Sequence, residues 1–318
     1  MPMLTQGQVF GAAEDLSNGT RTNSKKNFVQ NTKFSGELWL NPEIGNMYSR
    51  VERITGPFAT PLLHQAGLDT ISQPVKVLDL CCGTGVVSAH LQQIADGEGS
   101  RDKLDLTCGD FSPSQLAHVQ KRIEQNQWTN AKAVLVNAMD TGLPSEEFDH
   151  IILAMALMLV PDPISAVDEC FRMCKSGGTY SISTWFYEAW NADVQHAIST
   201  LPNAPAWPKT SDELIIAWAT GAWHIPSYCK DMLAAAGFVD IKVELLSVHM
   251  PMHHAEDFVD IYEAFIEMVT DKYWTAEQKA RCRPLIREAV LRTCNAKYGE
   301  GKPFTTERVN ILVTGRKP

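Results

Sequence analysis

The chain has 318 residues, of which 44% are hydrophobic and 20% charged, a composition typical of a globular protein built around one large domain. Lys and Arg number 28 against 37 Asp and Glu, which gives a net charge of −9. This acidic balance argues against nucleic acid as the main partner, because phosphate binding needs a clustered basic surface. The sequence shows neither a run of roughly 20 apolar residues nor a secretory signal pattern. We therefore expect a soluble, cytoplasmic protein that binds neither nucleic acid nor membrane.

The eight cysteines form no CxxC pair and have no His partner at zinc spacing. We expect free thiols in a reducing compartment. Cys170 and Cys174 lie one helical turn apart, a spacing that suits two metal ligands but also two small residues on a buried helix face, the interpretation we favour. Asp162 and Asp168 are the carboxylates near the fourth predicted strand, and Asp162 is better explained as a helix cap. We therefore expect no bound metal.

The N-terminal part of the chain changes character near residue 28. Residues 1–27 are polar and without periodicity, which predicts a disordered tail. From Phe28, apolar residues recur at helical spacing as far as Gly56-Pro57, and a second helix is predicted over 58–67. The segment 28–70 therefore reads as a pair of helices that precede the first strand.

The segment 71–185 alternates short apolar runs with amphipathic helices. This rhythm predicts a mostly parallel sheet covered on both faces. The predicted strands are 75–80, 104–109, 134–136, 148–153 and 179–185. Gly177-Gly178 is predicted to turn the chain into the fifth strand, and Asp162 followed by Pro163 is predicted to begin the helix before it.

Two interruptions follow. Residues 186–225 carry four tryptophans among prolines, and residues 250–304 are largely helical and mixed in charge. Between and after them, 226–249 and 305–316 resume the helix and strand pattern. We therefore expect one α/β domain over 28–318, whose two insertions form helical lids on its rim.

The loop after the first strand carries the chemistry. Gly83 and Gly85 in Cys-Cys-Gly-Thr-Gly remove side chains where a ligand approaches the backbone, between a buried strand and a helix. Asp110, at the end of the second strand, can accept both hydroxyls of an adenosine ribose or can cap the next helix. A dinucleotide fingerprint wants Gly or Ala where Ser88 stands, so the pattern favours a ligand with a ribose but no pyrophosphate.

The sequence resembles the class I S-adenosylmethionine-dependent methyltransferases. Five signatures occur in the family's order and spacing: Val-Leu-Asp-Leu-Cys-Cys-Gly-Thr-Gly, Gly-Asp-Phe-Ser, Asn-Ala-Met-Asp, Phe-Asp-His-Ile-Ile-Leu and Lys-Ser-Gly-Gly. The resemblance implies a Rossmann-like fold with a seven-stranded, mostly parallel sheet whose last two strands form an antiparallel pair. It also implies S-adenosyl-L-methionine as the cofactor.

The resemblance assigns roles residue by residue. The Cys81–Gly85 loop would hold the methionine moiety with Asp79 organising it, and Asp110 would bind the ribose. The residues implied at the adenine are Phe111, Gln115, Asn137, Ala138 and Met139. Ala154 and Met155 would border the sulfonium, and Tyr48 would lie near the methionine carboxylate or in the core. Cys81 replaces the family's first glycine, so either the backbone there is not at positive φ or a small side chain is tolerated.

Catalysis by positioning suffices for thiols and amines, whereas a phenol or alcohol benefits from a base. Candidate bases are His196, His224 and Glu188, although residues of these types at such positions more often have a surface or packing role. Met158, in the loop after the fourth strand, indicates an apolar acceptor pocket. The tryptophans at 190, 207, 218 and 223 suit either an aromatic wall over that pocket or a small core of the insertion itself.

These observations favour an enzyme that methylates O, S or N of an apolar aromatic small molecule, as the similar fungal secondary-metabolite methyltransferases do. The alternative is a methyltransferase-like regulator or binding protein without transfer activity. Cys81 and the lack of an evident base support that alternative. The N-terminal helix pair offers a surface for a homodimer.

Overall fold

The computed structural model describes residues 39–42 and 44–318, and these residues form a seven-stranded sheet with helices on both faces. The predicted tail and residues 28–38 lie outside the described residues. The strands are β1 (Val75–Leu80), β2 (Leu104–Asp110), β3 (Ala131–Leu135), β4 (Phe148–Ala154), β5 (Cys174–Glu188), β6 (Val239–Met252) and β7 (Phe304–Arg316). The helices are α1 (Ile44–Thr55), α2 (Ala59–Gln65), α3 (Val86–Glu98), α4 (Pro113–Gln125), α5 (Pro163–Met173), α6 (Trp190–Ser199), α7 (Ser211–Trp218), α8 (Pro226–Ala235), α9 (Ala255–Tyr273) and α10 (Ala276–Tyr298).

The strand order is β3-β2-β1-β4-β5-β7-β6. Neighbours from β3 to β5 are parallel, and β7 runs antiparallel between β5 and β6. This confirms the predicted Rossmann-like fold and its antiparallel final pair. The chain moves outward from β1 to β3 and returns to β4, so the connections after β1 and β4 leave in opposite directions. Such a switch point opens a crevice beyond the carboxyl ends of the strands.

Local sequence explains where the elements around this crevice begin. Ser112 caps α4 by accepting a hydrogen bond from the backbone N–H of Gln115, and Pro113 follows at the first helical position, where no N–H is needed. Asp162 caps α5 in the same way, as predicted, through a 3.1 Å bond from the N–H of Ser165. Both caps stiffen loops that line the crevice.

The predicted strand ends were wrong in several places. β5 does not begin after a turn at Gly177-Gly178 but runs through it, because its pairing with β4 already starts at Cys174. Its pairing with β7 carries it on to Glu188, inside the predicted insertion 186–225. β3 occupies Ala131–Leu135 rather than 134–136. Strand length here follows from the neighbouring strand, which periodicity along one segment does not reveal.

The two insertions pack against each other. Helices α6 and α7 from the first and α9 and α10 from the second share a buried apolar cluster that includes Trp190, Tyr262 and Val290. Val51 and Ile54 of α1 belong to the same cluster. Within the described ranges, no helix combines the length and apolarity needed to cross a membrane.

Candidate active site

A cavity opens at the switch point, above the carboxyl ends of β1, β2 and β4. Of the residues that the resemblance assigns to the cofactor, all but Gly85 line it. These residues are Tyr48, Asp79, Cys81, Gly83, Asp110, Phe111, Gln115, Asn137, Ala138, Met139, Ala154 and Met155. Gly85 lies one step further on, where its φ of 85° lets the chain turn into α3. Residues that were predicted one by one, from Tyr48 to Met155 in the sequence, thus line the same cavity.

The loop after β1 takes a left-handed path. Cys81 has φ 56° and Gly83 has φ 55°, and the N–H of Cys82 donates to the carbonyl of Gly109 at 3.0 Å. Of the two explanations offered for Cys81, the first is wrong, because its backbone is at positive φ. A side chain is carried there at a cost of about 1 to 2 kcal/mol relative to glycine. The loop therefore keeps the glycine-like geometry that brings its backbone to the cavity.

Asp79 fastens this loop to the helix that follows it. Its carboxylate accepts hydrogen bonds from the backbone N–H of Ser88 at 3.0 Å and from the Ser88 hydroxyl at 2.6 Å. Burial raises the pKa of Asp79 to about 7, against the lowering effect of the two Ser88 bonds. Ser88, which departs from the dinucleotide pattern, thus supplies both donors for Asp79.

Asp110 holds the glycine loop in place and is not the N-cap of α4. Its Oδ2 accepts from the N–H of Gly83 at 2.8 Å and its Oδ1 from the N–H of Ser112 at 2.9 Å. The capping alternative fails for Asp110, since Ser112 is the N-cap of α4. The backbone N–H of Phe111 also donates to this carboxylate. A carboxylate has about four acceptor positions, so these three donors do not use all of them, and a hydroxyl presented from the cavity can still be bound.

The neighbouring wall suits a flat ring with polar edges. Phe111 is 36% exposed beside the cavity, and Gln115 is buried with its Oε1 left without a hydrogen-bond partner. Asn137 holds its own turn by accepting from the N–H of Met139 at 3.0 Å. A buried amide oxygen without a partner is costly in a dry interior, so the Gln115 oxygen is explained best by a donor on a ligand.

The far end of the cavity is apolar. Met155 follows β4 with φ 57°, and its N–H donates to the carbonyl and hydroxyl oxygens of Ser183 on β5. The prediction for Met158 was wrong in detail, because Met158 is fully buried in the core and does not reach the cavity. Its neighbours Leu159 and Val160 face the cavity instead, since the chain makes a 3₁₀ turn at this point.

The cavity has a roof that the motifs did not indicate, apart from Tyr48. We use the name roof for Trp39, α1 and Phe58 together. Tyr48 packs edge-on against Trp39, with ring centroids 5.1 Å apart, and Thr55 and Phe58 complete the lining on this side. Burial raises the pKa of Tyr48 well above its usual range, so the phenol stays protonated at neutral pH.

The structure brings none of the three candidate bases to the cavity lining. Glu188 is buried in an ion pair with Arg308, with Oε1 2.6 Å from Nη2, and its other oxygen accepts from the indole of Trp190. His196 is exposed on α6, whose opposite side packs into the insertion core. His224 is half-buried away from the cavity, and burial lowers its pKa.

The four tryptophans of the first insertion do not line the cavity either. Trp190 and Trp207 belong to the cluster that the insertions share, Trp223 lies in the core beside the sheet, and Trp218 packs between the two. Of the two interpretations offered for them, the packing one holds. In the residues that the structure describes, no group of three or more His, Cys, Asp or Glu side chains is placed to hold a metal.

Comparison with known proteins gives consistent results. A family model described as a methyltransferase domain matches residues 77–178. Methyltransferase tpcH of Aspergillus fumigatus is 30% identical over 274 residues, covering 86% of this chain and 96% of that protein. Acetylaranotin bis-thiomethyltransferase of Aspergillus terreus is 30% identical over 282 residues, covering 88% and 97%.

Among solved structures, the Haemonchus contortus phosphoethanolamine N-methyltransferase 2, bound to phosphomonomethylethanolamine and S-adenosylhomocysteine, shares the fold. Its TM-score is 0.50 at 15% identity, over 82% of this chain and 52% of that one. Sheet order, cavity and whole-length relatives therefore agree: the chain belongs to the class I S-adenosylmethionine-dependent methyltransferases and is similar to fungal members of that family.

Proposed function

We propose that the protein binds S-adenosyl-L-methionine in this cavity and methylates a thiol on an apolar small molecule. The observation that carries the proposal is the lining itself, which combines hydrogen-bonding groups with a largely apolar surface and includes none of the three candidate bases. The cofactor would supply a methyl group bonded to a sulfonium sulfur, which would be the leaving group when a nucleophile attacks the methyl carbon in line. All other steps fall to the protein's own side chains.

The polar end fits the nucleoside. Asp110 would accept the two ribose hydroxyls while its remaining bonds keep the Gly83 loop in place. Gln115 offers an unpartnered oxygen to an exocyclic amine, and Phe111 offers a ring face. Tyr48, protonated and facing the cavity from the roof, can donate to the methionine carboxylate.

The apolar part of the lining suits a small apolar acceptor. Leu159, Val160 and Pro161 from the loop after β4 line the cavity together with Phe58 of the roof. A surface of this kind binds by excluding water and gives no hydrogen bonds to a peptide or a nucleic acid. The acceptor is therefore inferred to be an apolar small molecule.

The choice of sulfur rests on the ionisable groups in the described lining, which are Tyr48, Asp79, Cys81, Cys82 and Asp110. Burial raises the pKa of the phenol and both thiols, so none of these three accepts a proton at neutral pH. The two carboxylates are engaged with Ser88 and the loop backbone. A thiol acceptor ionises partly by itself near neutral pH, whereas an alcohol needs a base.

In the proposed step, the acceptor thiol loses its proton to solvent and its sulfur attacks the methyl carbon. A new carbon–sulfur bond forms as the old one to the sulfonium breaks, and the bonding pair leaves with the sulfonium sulfur. The name of the Aspergillus terreus relative, a bis-thiomethyltransferase, supports this choice. The regulator alternative loses one of its two supports, since Cys81 leaves the loop geometry intact.

The test compares three acceptors on one aromatic scaffold, a thiol, a phenol and an amine, by mass spectrometry of the methylated product. Titration calorimetry with S-adenosylmethionine accompanies it, for wild type, Asp110→Ala and the control Asp105→Ala on the exposed side of β2. We expect methylation of the thiol and loss of binding in Asp110→Ala alone. A phenol methylated faster than the thiol would overturn the sulfur assignment, and binding without transfer to any acceptor would favour the regulator.

A further inference from the structure

We propose that Glu52 is a positioning residue that holds the roof on the glycine loop and so limits how fast the cofactor and its demethylated product leave. The inference rests on the proposed function for the identity of the nucleoside. It rests on three short contacts for the role of the carboxylate. Glu52 itself does not line the cavity.

The spacing of α1 places Glu52 toward the loop. Tyr48, Glu52 and Thr55 stand at i, i+4 and i+7, which is one face of a helix. Tyr48 and Thr55 line the cavity, and Glu52 lies between them along the helix, half-buried. We use the name floor for the loop after β1 together with α4. The side of the helix that carries Tyr48 and Thr55 thus also carries a carboxylate, in the last turn of α1.

Two elements of the floor hold that carboxylate. The hydroxyl of Thr84 donates to Oε1 at 2.5 Å, and Nη2 of Arg122 lies 2.6 Å from Oε2. Thr84 is the central residue of the Gly-Thr-Gly turn and lines the cavity, and Arg122 belongs to α4, the helix that also carries Gln115. One side chain therefore joins the roof to both elements that would grip the nucleoside.

Other contacts also anchor the roof. At its N-terminal end, the N–H of Gly45 donates to Oγ of Ser114 on α4 at 3.2 Å. Val51 and Ile54 are buried in the insertion core, and Nη1 of Arg308 donates to the carbonyl of Ile54 at 3.0 Å. The last turn of α1 is thus held on one side by apolar contacts and a buried cation, and on the side facing the loop by the polar contact of Glu52. Opening the cavity requires this polar contact to break, because roof and floor enclose the same space.

The charges make the contact sensitive to salt. Arg122 is 28% exposed and Glu52 22%, so dissolved ions reach the pair and weaken it. Arg53, the next residue, pairs with Asp257 on the opposite insertion and does not touch the loop. Asp257→Asn is therefore a matched control, since it removes one carboxylate charge paired with the same helix.

The experiment measures release of S-adenosylhomocysteine by stopped-flow for wild type, Glu52→Gln and Asp257→Asn, at low and high salt. We expect release about 10-fold faster in Glu52→Gln, as for the loss of a charge-assisted hydrogen bond. Wild-type release should rise with salt and the Glu52→Gln rate should not. Equal rates in wild type and Glu52→Gln would overturn the inference, as would the same acceleration in Asp257→Asn.

Hydrogen exchange of the α1 amides in the free protein gives a readout without any ligand. Exchange about 10-fold faster in Glu52→Gln than in Asp257→Asn is expected, because the roof would then open more often. Failure of wild type to bind either nucleoside would refute the proposed function. In that case unchanged exchange of α1 in Glu52→Gln would separately refute the role of Glu52 in holding the roof.

Discussion

Replacing Glu188 with alanine should lower the free energy of unfolding by about 3 to 5 kcal/mol, because it leaves the Arg308 charge buried without its partner. Glu188 is 2% exposed and Arg308 3%. The guanidinium reaches Oε1 through Nη2 at 2.6 Å and Nε at 3.0 Å, and Oε2 accepts from the indole of Trp190 at 2.9 Å. The substitution therefore removes the partner of a charge and of a buried N–H at once, which places the loss in the upper part of that range.

The assay is urea unfolding of the single variant and of Glu188→Leu/Arg308→Met, read by tryptophan fluorescence. The double variant removes both charges and should recover most of the loss, to within about 2 kcal/mol of wild type. If Glu188 were instead a catalytic base, as the sequence allowed, Glu188→Ala would keep its stability and lose turnover with a changed pH profile. A single variant within about 1 kcal/mol of wild type would refute our reasoning on the ion pair.

Three further outcomes follow from local geometry. Cys81→Gly should raise the free energy of unfolding by about 1 kcal/mol by relieving a left-handed residue, as checked by thermal unfolding. Burial lowers the pKa of His150 to about 4, below its unfolded value of 6.5. The stability that this shift contributes above pH 6.5 is therefore lost as the pH falls toward 4. In urea titrations, His150→Leu should reduce this loss of stability at low pH. Burial raises the pKa of Asp79 to about 7, above its unfolded value of 3.8. The stability that this shift contributes below pH 3.8 is therefore lost as the pH rises through 7. Asp79→Asn should remove this pH dependence of stability.

The sheet and the cofactor end of the cavity could be predicted because their signals are local. β1 is an apolar run that ends in a glycine turn, and the position of Asp110 after β2 follows from counting strands. Ligand groups at the carboxyl ends of parallel strands are brought together by topology alone. The positive φ of Cys81 could not be predicted, since the sequence pattern is compatible with either a positive or a negative φ at this residue.

The roof and the candidate bases could not be settled in the same way, because they depend on residues far apart in the chain. Glu188 follows a strand end, as a catalytic carboxylate often does, and its partner Arg308 is 120 positions away on β7. Phe58 reads as the start of a helix, and only the fold of α1 over the sheet turns it toward the cavity. The 3₁₀ turn over Leu157–Leu159 decides that Leu159, and not Met158, lines the cavity.

The packing of the insertions also limits where acceptor preference can be set. Trp190 and Trp207 pack in the apolar cluster that the insertions share. We therefore expect substitutions at these positions to lower the stability of the protein without changing the cavity lining directly. The apolar residues that do line the cavity include Leu159 and Val160 after β4 and Phe58 of the roof, and the proposed acceptor would contact these. Phe58 also belongs to the insertion core, so the insertions reach the acceptor through the position of the roof. We therefore expect that a change of acceptor size requires substitutions in both the loop after β4 and the roof, since both contribute apolar side chains to the lining.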